Sequence, residues 1–241
     1  MRAISIIYRR ELGAYLRSPF GWVIAAILLL IAGLLFQGYA LSGEMLSAVV
    51  LERYFYVASA LPLFGGVLLS FRLLSEERQN HSMVLLNTSP IRDSDIVLGK
   101  FFAALTFLAV MLALSIYMPI LIKVNGKITG AQIVVGYLGL LLLGAATLAI
   151  GLLGSALARQ QLVAAVASAA MVAVLCFIHL LASKVDAPLK DVLEQIDLWW
   201  VHYQYGFMKG ILNLKDVVFY LAATYFFLLL SIKTLEAKRW Q

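Results

Sequence analysis

Two Gly-Lys pairs are the first candidates for chemistry in this sequence, because a lysine after a glycine occurs in nucleotide-binding loops. They are Gly99-Lys100 and Gly126-Lys127. A P-loop also needs an upstream glycine, and a serine or threonine directly after the lysine, to cradle phosphates and bind Mg²⁺. Neither pair has them. The sequence therefore predicts no nucleotide site in this chain and no ATP hydrolysis by it.

Histidine and cysteine offer no other catalytic group. His81, His179 and His202 are too far apart in sequence for a metal site, and Cys176 is the single cysteine, so no internal disulfide can form. We expect His179 to be hydrogen-bonded inside a helix bundle. Gln37 is the other notable polar side chain in an apolar segment. The expectation is no catalytic residue, no metal and no cofactor in this chain.

The composition indicates what kind of structural elements must position the polar residues of this chain. Of the 241 residues, 63% are hydrophobic and 13% are charged, whereas a soluble domain has about 25% charged residues. So few charges do not cover the surface of a soluble domain of this length, which disfavours a soluble enzyme. Membrane helices are the natural alternative.

Long uncharged runs predict the membrane spans. A helix needs about 20 mostly apolar residues to cross a bilayer, and six runs fit. The prediction is one all-α polytopic domain over residues 1–241. Its spans are expected at about 20–41, 54–74, 98–122, 133–157, 161–182 and 217–235.

The positions of the charges predict the orientation. If both termini are cytoplasmic, 12 of the 19 Lys and Arg residues lie on the inner side, as the positive-inside rule requires. The net charge of +6 then reflects membrane topology, and no nucleic-acid partner is expected. The spans hold no carboxylate, which argues against ion-driven transport by the chain alone.

Residues 1–18 are predicted to form an interfacial helix. An apolar stripe recurs at helical spacing, and charged residues lie off it, so the arginines would face anionic headgroups. The charged residues concerned are Arg9, Arg10, Glu11 and Arg17. The alternative is a positive flank that only orients the first span.

The inner loop 75–95 carries the densest charged group. We expect a short helix over 75–88, with Ser75 as its N-cap and the carboxylates in its first turn. An apolar patch follows, which a docking element needs and a solvated turn does not. The residues concerned are Glu76, Glu77, Arg78, Met83, Leu85 and Leu86.

Two further features concern packing and the outer face. Small residues at four-residue spacing in the fourth and fifth spans predict close helix packing, within one chain or between two; they include Gly151, Gly154, Ser155, Ala164 and Ser168. The outer segment 183–216 is expected to contain an amphipathic helix at the membrane surface, followed by the aromatic pair Trp199-Trp200.

Three segments of this chain resemble a known family. They are Tyr8-Arg9-Arg10-Glu11-Leu12 through Ser18-Pro19-Phe20-Gly21, Glu76-Glu77-Arg78 through Ile96-Val97-Leu98-Gly99-Lys100-Phe101, and Phe207-Met208-Lys209-Gly210 through Lys238-Arg239-Trp240. In these the chain resembles permease subunits of type 2 ABC exporters, nearest to the gliding-motility and nitrous-oxide-operon branch. The family often has Gly-Thr-x-Glu where this chain has His81-Ser82-Met83-Val84.

The resemblance implies an ATP-driven transporter of the bacterial inner membrane. The chain would form the translocation path as a dimer, with a second copy or a paralogous permease. Separate cytoplasmic ATPase subunits would hold ATP and Mg²⁺ and dock on the inner loop, which would serve as the coupling helix. The alternative is a membrane anchor or scaffold of a motility or assembly complex that transports nothing itself.

Overall fold

The computed structural model describes residues 2–43, 46–80 and 91–239, and all regular structure in these ranges is helical. The α-helices, numbered in chain order, are α1 (Arg2–Arg17), α2 (Pro19–Leu35), α3 (Ser47–Ala58), α4 (Ala60–Ser70), α5 (Arg72–Gln79), α6 (Asp93–Leu114), α7 (Tyr117–Asn125), α8 (Gly130–Leu157), α9 (Gln161–Ala182), α10 (Leu189–Ile196) and α11 (Leu214–Arg239). Short π-helical segments, Phe36–Ala40 and Trp200–Gln204, and a 3₁₀ turn, Phe207–Lys209, complete them.

Six helical segments of the described ranges are long and apolar enough to cross a membrane. They are Pro19–Ala40, Ser47–Gln79, Asp93–Asn125, Gly130–Leu157, Gln161–Ala182 and Leu214–Lys238. The all-α class and the number of spans are therefore confirmed. Several segments are longer than the sequence predicts, because helical hydrogen bonding continues through charged residues beyond the predicted ends of the spans.

The second span shows the clearest correction. Its helical segment continues to Gln79, so Ser75 lies inside α5 and is not an N-cap. The two carboxylates that follow Ser75 are consequently in the last turn of α5, not in the first turn of a new helix. The rest of the predicted 75–88 helix, residues 81–88, lies outside the described residues.

A hydroxyl on a neighbouring helix explains why the helix continues there. Phe71 separates α4 from α5 and keeps helical dihedral angles, with φ at −59° and ψ at −31°. Ser155 of α8 accepts hydrogen bonds from the backbone N–H groups of Leu74 and Ser75, both at 2.9 Å, and donates to the Phe71 carbonyl at 2.7 Å. These bonds satisfy buried backbone groups where α4 and α5 meet.

Helix α8 is the centre of the bundle. It packs against α4, α5, α6, α9 and α11, and almost every residue of its second half is buried. That half is rich in glycine and alanine, which allow neighbouring backbones to come close. By contrast, α2, α9 and α11 expose many large apolar side chains, as expected for helices that face lipid.

Helix α1 packs along α6. Ile7 is buried against Gly99, where a Cβ atom would lie 2.8 Å from the Ile7 side chain, so a glycine is needed for this approach. The buried Tyr15 hydroxyl donates to the Leu69 carbonyl at 2.7 Å. Part of the apolar stripe that the sequence assigns to the membrane interface therefore contacts protein.

Hydrogen bonds anchor the outer segment to the bundle. Helix α10 exposes its apolar side chains, as the amphipathic pattern predicts. Beyond it, the Tyr203 hydroxyl donates to the Phe55 carbonyl at 3.0 Å, and the Trp199 indole donates to the Ser59 hydroxyl at 3.0 Å. The segment is thus tied to the second span at two places.

Candidate functional site: an ion-pair cluster between three helices

Three consecutive charged residues of α5 contact three different parts of the molecule. Consecutive helical residues are rotated by about 100°, so they leave the helix in different directions. Glu76 pairs with Arg72 on α5 itself, Glu77 points toward α1 and α6, and Arg78 reaches the end of α8. The segment that the sequence selected for its charge is therefore a junction between helices.

Glu77 belongs to an ion-pair cluster of four residues: Arg10, Glu11, Glu77 and Lys100. Lys100 Nζ lies 3.0 Å from Glu11 Oε1 and 2.9 Å from Glu77 Oε1. Arg10 Nη2 lies 2.6 Å and 2.8 Å from the same two oxygens. Two cations thus alternate with two carboxylates, and the cluster ties α1, α5 and α6 together.

Burial makes the members of this cluster depend on each other. The Lys100 side chain is 2% exposed, and those of Glu77 and Glu11 are 13% and 15% exposed. A buried charge is costly unless it is paired and hydrogen-bonded. Each member therefore needs its partners, and moving one helix of the three away would leave charges uncompensated.

The two cluster members on α1 show this interdependence in their protonation. Partial burial opposes ionisation of Glu11, but the charges and hydrogen bonds of Lys100 and Arg10 outweigh it and lower the pKa of the Glu11 carboxyl. Burial likewise opposes the charge on Arg10, yet Glu11 and Glu77 raise the pKa of its guanidinium. Both groups are held in their charged forms.

A cavity of about 330 Å³ lies beside the cluster, between α1, α2, α5 and α6. The Arg72 guanidinium borders it, holding Glu76 through two hydrogen bonds of 2.8 and 2.9 Å and lying 4.5 Å from the centre of the Phe20 ring. The cavity thus lies beside the charged ends of these helices.

Arg78 connects α5 to the C-terminal end of α8. Its guanidinium donates to the carbonyls of Ala156 and Ala158, and Lys238 of α11 donates to those of Ala156 and Leu157 at 3.0 and 2.7 Å. Cations at a helix C-terminus bind carbonyls that have no partner within the helix, and they offset the helix dipole. Arg78 thus extends the contacts of α5 to the central helix.

The predicted small residues lie at contacts within this chain. A Cβ atom on Gly151 would collide with the Ser70 side chain, and one on Gly154 would collide with Ser168. Ser168 also donates to the Gly151 carbonyl at 3.1 Å, and Ala164 is fully buried. The structure thus shows α8 in close contact with the second and fifth spans through these positions.

Other selected residues lie apart from the cluster. Arg9, Arg17 and Gln37 are exposed, whereas Met83, Leu85 and Leu86 lie outside the described residues. The prediction of a hydrogen-bonded His179 is wrong for the described part of the chain, where its buried Nδ1 has no partner and its ring stacks on Trp200 with 5.5 Å between centres. The geometry favours ring stacking over a hydrogen bond.

Sequence reasoning missed two sets of partners. It considered Lys100 only in a failed nucleotide motif and in one of the resembling segments, and it did not connect this lysine with Glu11 or Glu77. It also missed the buried pair of His202 and Asp216, whose Nδ1 and Oδ1 atoms are 2.8 Å apart. In that pair, the His202 Nε2 atom faces the Gln195 carbonyl at 3.2 Å, so both ring nitrogens have a hydrogen-bonding partner.

The described residues contain no group of His, Cys, Asp and Glu side chains that could hold a metal ion. The cluster itself balances its charges internally and presents no activated nucleophile. Its arrangement holds α1, α5 and α6 together through ion pairs.

An all-helical chain with six apolar helices of membrane-spanning length is a polytopic membrane protein. The family described as ABC-2 family transporter protein matches residues 5–238, and the chain belongs to this family. The predicted membership of the type 2 ABC permeases is thereby confirmed. The chain is a membrane permease subunit of an ABC transporter, in a family of generally non-catalytic subunits whose partners are ABC ATPases. A search of curated proteins gives no match.

Proposed function

We propose that this chain lines the translocation path of an ATP-driven transporter and receives force from separate ATPase subunits at the end of the bundle where the ion-pair cluster lies. That end would be cytoplasmic, with both termini, in the inner membrane of a bacterium. ATP and Mg²⁺ would be bound by the ATPase subunits. A second copy of the chain, or a paralogous permease, would complete the path, and the three resembling segments favour the gliding-motility and nitrous-oxide-operon branch.

The ion-pair cluster is the observation that carries this proposal. Because α5 is bonded to α1 and α6 through Glu77 and to α8 through Arg78, a force on α5 reaches helix α1 and the third and fourth spans at once. A loop that only connected two spans would not need these contacts.

The mechanism follows from the position of α5. The ATPase would dock on the segment that follows α5, where Met83, Leu85 and Leu86 are proposed to fill a hydrophobic groove of the partner. Closure of the ATPase subunits on ATP would push this segment and α5 together. The cluster would pass that motion to α1 and α6, and the spans would reorient to open a path between two permease subunits.

Affinity purification from native membranes in mild detergent tests the proposal. We expect an ABC ATPase to co-purify in stoichiometric amount with the intact chain, and much less of it with Leu85→Asp. Leu46→Asp, which also places a charge at an apolar position, should retain the ATPase. Normal membrane insertion of both variants would be checked by their yield and elution profile.

The result also separates the transporter from the scaffold. If no ATPase accompanies the chain at any detergent concentration that keeps it folded, the chain acts as an anchor without transport and the proposal is wrong. If the ATPase remains bound to Leu85→Asp as strongly as to the unchanged chain, the docking assignment is wrong.

A further inference from the structure

A second charged group lies at the same end of the bundle, around the end of α8. We call Arg78, Arg159 and Lys238 the basic cluster. Arg78 and Lys238 reach the last carbonyls of α8 from α5 and α11, whereas Arg159 follows α8 in the link to α9 and is exposed. The charges of Arg78 and Arg159 both act on the Lys238 ammonium, so the three cations are neighbours.

The basic cluster holds more positive charge than its surroundings offset. None of its three members forms an ion pair with a carboxylate among residues 2–43, 46–80 and 91–239. The C-terminal end of a helix supplies only about half a negative charge. Most of the positive charge is thus left without a counter-ion in this part of the chain, although the four charges of the ion-pair cluster nearby are fully matched.

Exposed apolar side chains lie next to the basic cluster on the surface of the bundle. Leu157, Leu162 and Val163 are 52%, 76% and 53% exposed. Leu162 and Val163 open α9, whose exposed face continues along the span as apolar side chains. Cations therefore lie at the end of an apolar surface. This arrangement matches a phospholipid, whose headgroup lies at the membrane interface and whose acyl chain would lie along the helix.

We propose that the basic cluster binds the phosphate of an anionic phospholipid whose acyl chain lies along α9. Arg159, which forms no hydrogen bond within the described residues, would donate to the phosphate. Lys238 uses its ammonium for two carbonyls of α8 and has a third N–H for the phosphate. Arg78 keeps further N–H groups beyond those facing α8. The lipid would join α5, α9 and α11, which the basic cluster brings together.

The apolar surface decides between a lipid and the other anionic ligands. A free phosphate ion would use the cations but not the exposed side chains of α9. An acidic protein surface would approach from the aqueous side and would also leave them uncovered. A phospholipid would contact both the cations and the exposed apolar side chains, and the surrounding bilayer supplies it.

Native mass spectrometry of the purified, delipidated full-length chain tests the site. Phosphatidylglycerol and phosphatidylcholine with identical acyl chains would be titrated separately, and glycerol 3-phosphate would serve as a headgroup without acyl chains. We expect phosphatidylglycerol to bind at least fivefold more tightly than phosphatidylcholine, and glycerol 3-phosphate not to compete at equal concentration.

Charge-removal variants locate the binding. Arg159→Gln and Lys238→Gln should each weaken phosphatidylglycerol binding about fivefold, the effect of one basic side chain near an anionic lipid surface. Lys233→Gln, which removes an exposed charge on the same helix as Lys238 that is already paired with Glu236, is the matched control and should change binding less than twofold. Because Arg159 makes no hydrogen bond in the described structure, its variant should fold as the unchanged chain does.

Each other outcome overturns the proposal. Equal binding of the two lipids, or equal effects of Arg159→Gln and Lys233→Gln, would show that no lipid site exists there. Competition by glycerol 3-phosphate at a concentration equal to that of phosphatidylglycerol would assign a free-phosphate site instead. Unchanged lipid binding by Arg159→Gln together with loss of a co-purifying protein would assign the basic cluster to a protein partner.

Discussion

Replacing Lys100 with methionine tests the ion-pair cluster most sharply. Methionine keeps an unbranched side chain of similar length and removes the ammonium group, with its charge and its hydrogen bond to Glu11. The change would eliminate the contacts at 3.0 Å and 2.9 Å and leave Glu11 and Glu77 sharing Arg10. Two carboxylates that are largely shielded from water would then share one partly exposed cation.

The expected loss follows from burial. Removing one partner of a buried ion pair costs about 3–5 kcal/mol. Because Arg10 still holds both carboxylates here, we expect a smaller cost, about 2 kcal/mol, in the free energy that keeps α1 docked on α6. At roughly 1.4 kcal/mol per factor of ten, this is about a thirtyfold increase in the population of undocked α1.

Hydrogen exchange followed by mass spectrometry measures this population directly. In Lys100→Met the amides of α1 should exchange about thirtyfold faster, since their exchange reports local opening. Lys233→Met is the matched control, because Lys233 is 65% exposed and pairs with Glu236 at the surface. Such surface pairs contribute less than about 1 kcal/mol. Equal protection of α1 in both variants would refute the argument that burial makes the cluster strong.

Three more predictions concern the same end of the bundle. The folded-state pKa of Glu11 is lowered from 4.5, so its contribution to α1 docking is present above pH 4.5 and lost as the pH falls through the lowered value. Glu11→Gln should therefore flatten the acid dependence of hydrogen exchange in α1. An unchanged pH profile would contradict the role assigned to Glu11. Ser155→Ala leaves two buried N–H groups of α5 without their acceptor and should cost about 1–3 kcal/mol in thermal unfolding, whereas Ser183→Ala, at an exposed position, should cost less than about 0.5 kcal/mol. Gly99→Val would collide with Ile7, so α1 should exchange faster even with the ion-pair cluster intact; normal α1 protection would show that the close approach is not required.

Much of the fold could be predicted from the sequence because the spans depend on local composition. Uncharged runs of about twenty residues allow few other structures, and the short amphipathic α10 follows from helical spacing within one segment. The error at Ser75 has a different origin. The helix that continues past Phe71 is hydrogen-bonded to the Ser155 hydroxyl of another helix, and no local pattern contains that partner.

The site was predictable only in part for the same reason. Glu77 was selected for its charge, but its partners Arg10 and Lys100 lie far away in the sequence, and no local pattern links them to it. The bond from Lys100 to Glu11 joins residues 89 positions apart. Local charge density therefore located one side of the ion-pair cluster, and tertiary packing supplied the other.

The central claim is that the ion-pair cluster passes force from a bound ATPase to the spans. The most direct test is the ATP hydrolysis of the ATPase in complex with this chain, measured at equal occupancy for the unchanged chain, Lys100→Met and the control Lys233→Met. The account predicts that Lys100→Met retains the ATPase and loses most of the permease-dependent change in hydrolysis, whereas the control keeps it. Undiminished permease-dependent hydrolysis in the Lys100→Met complex would contradict the claim.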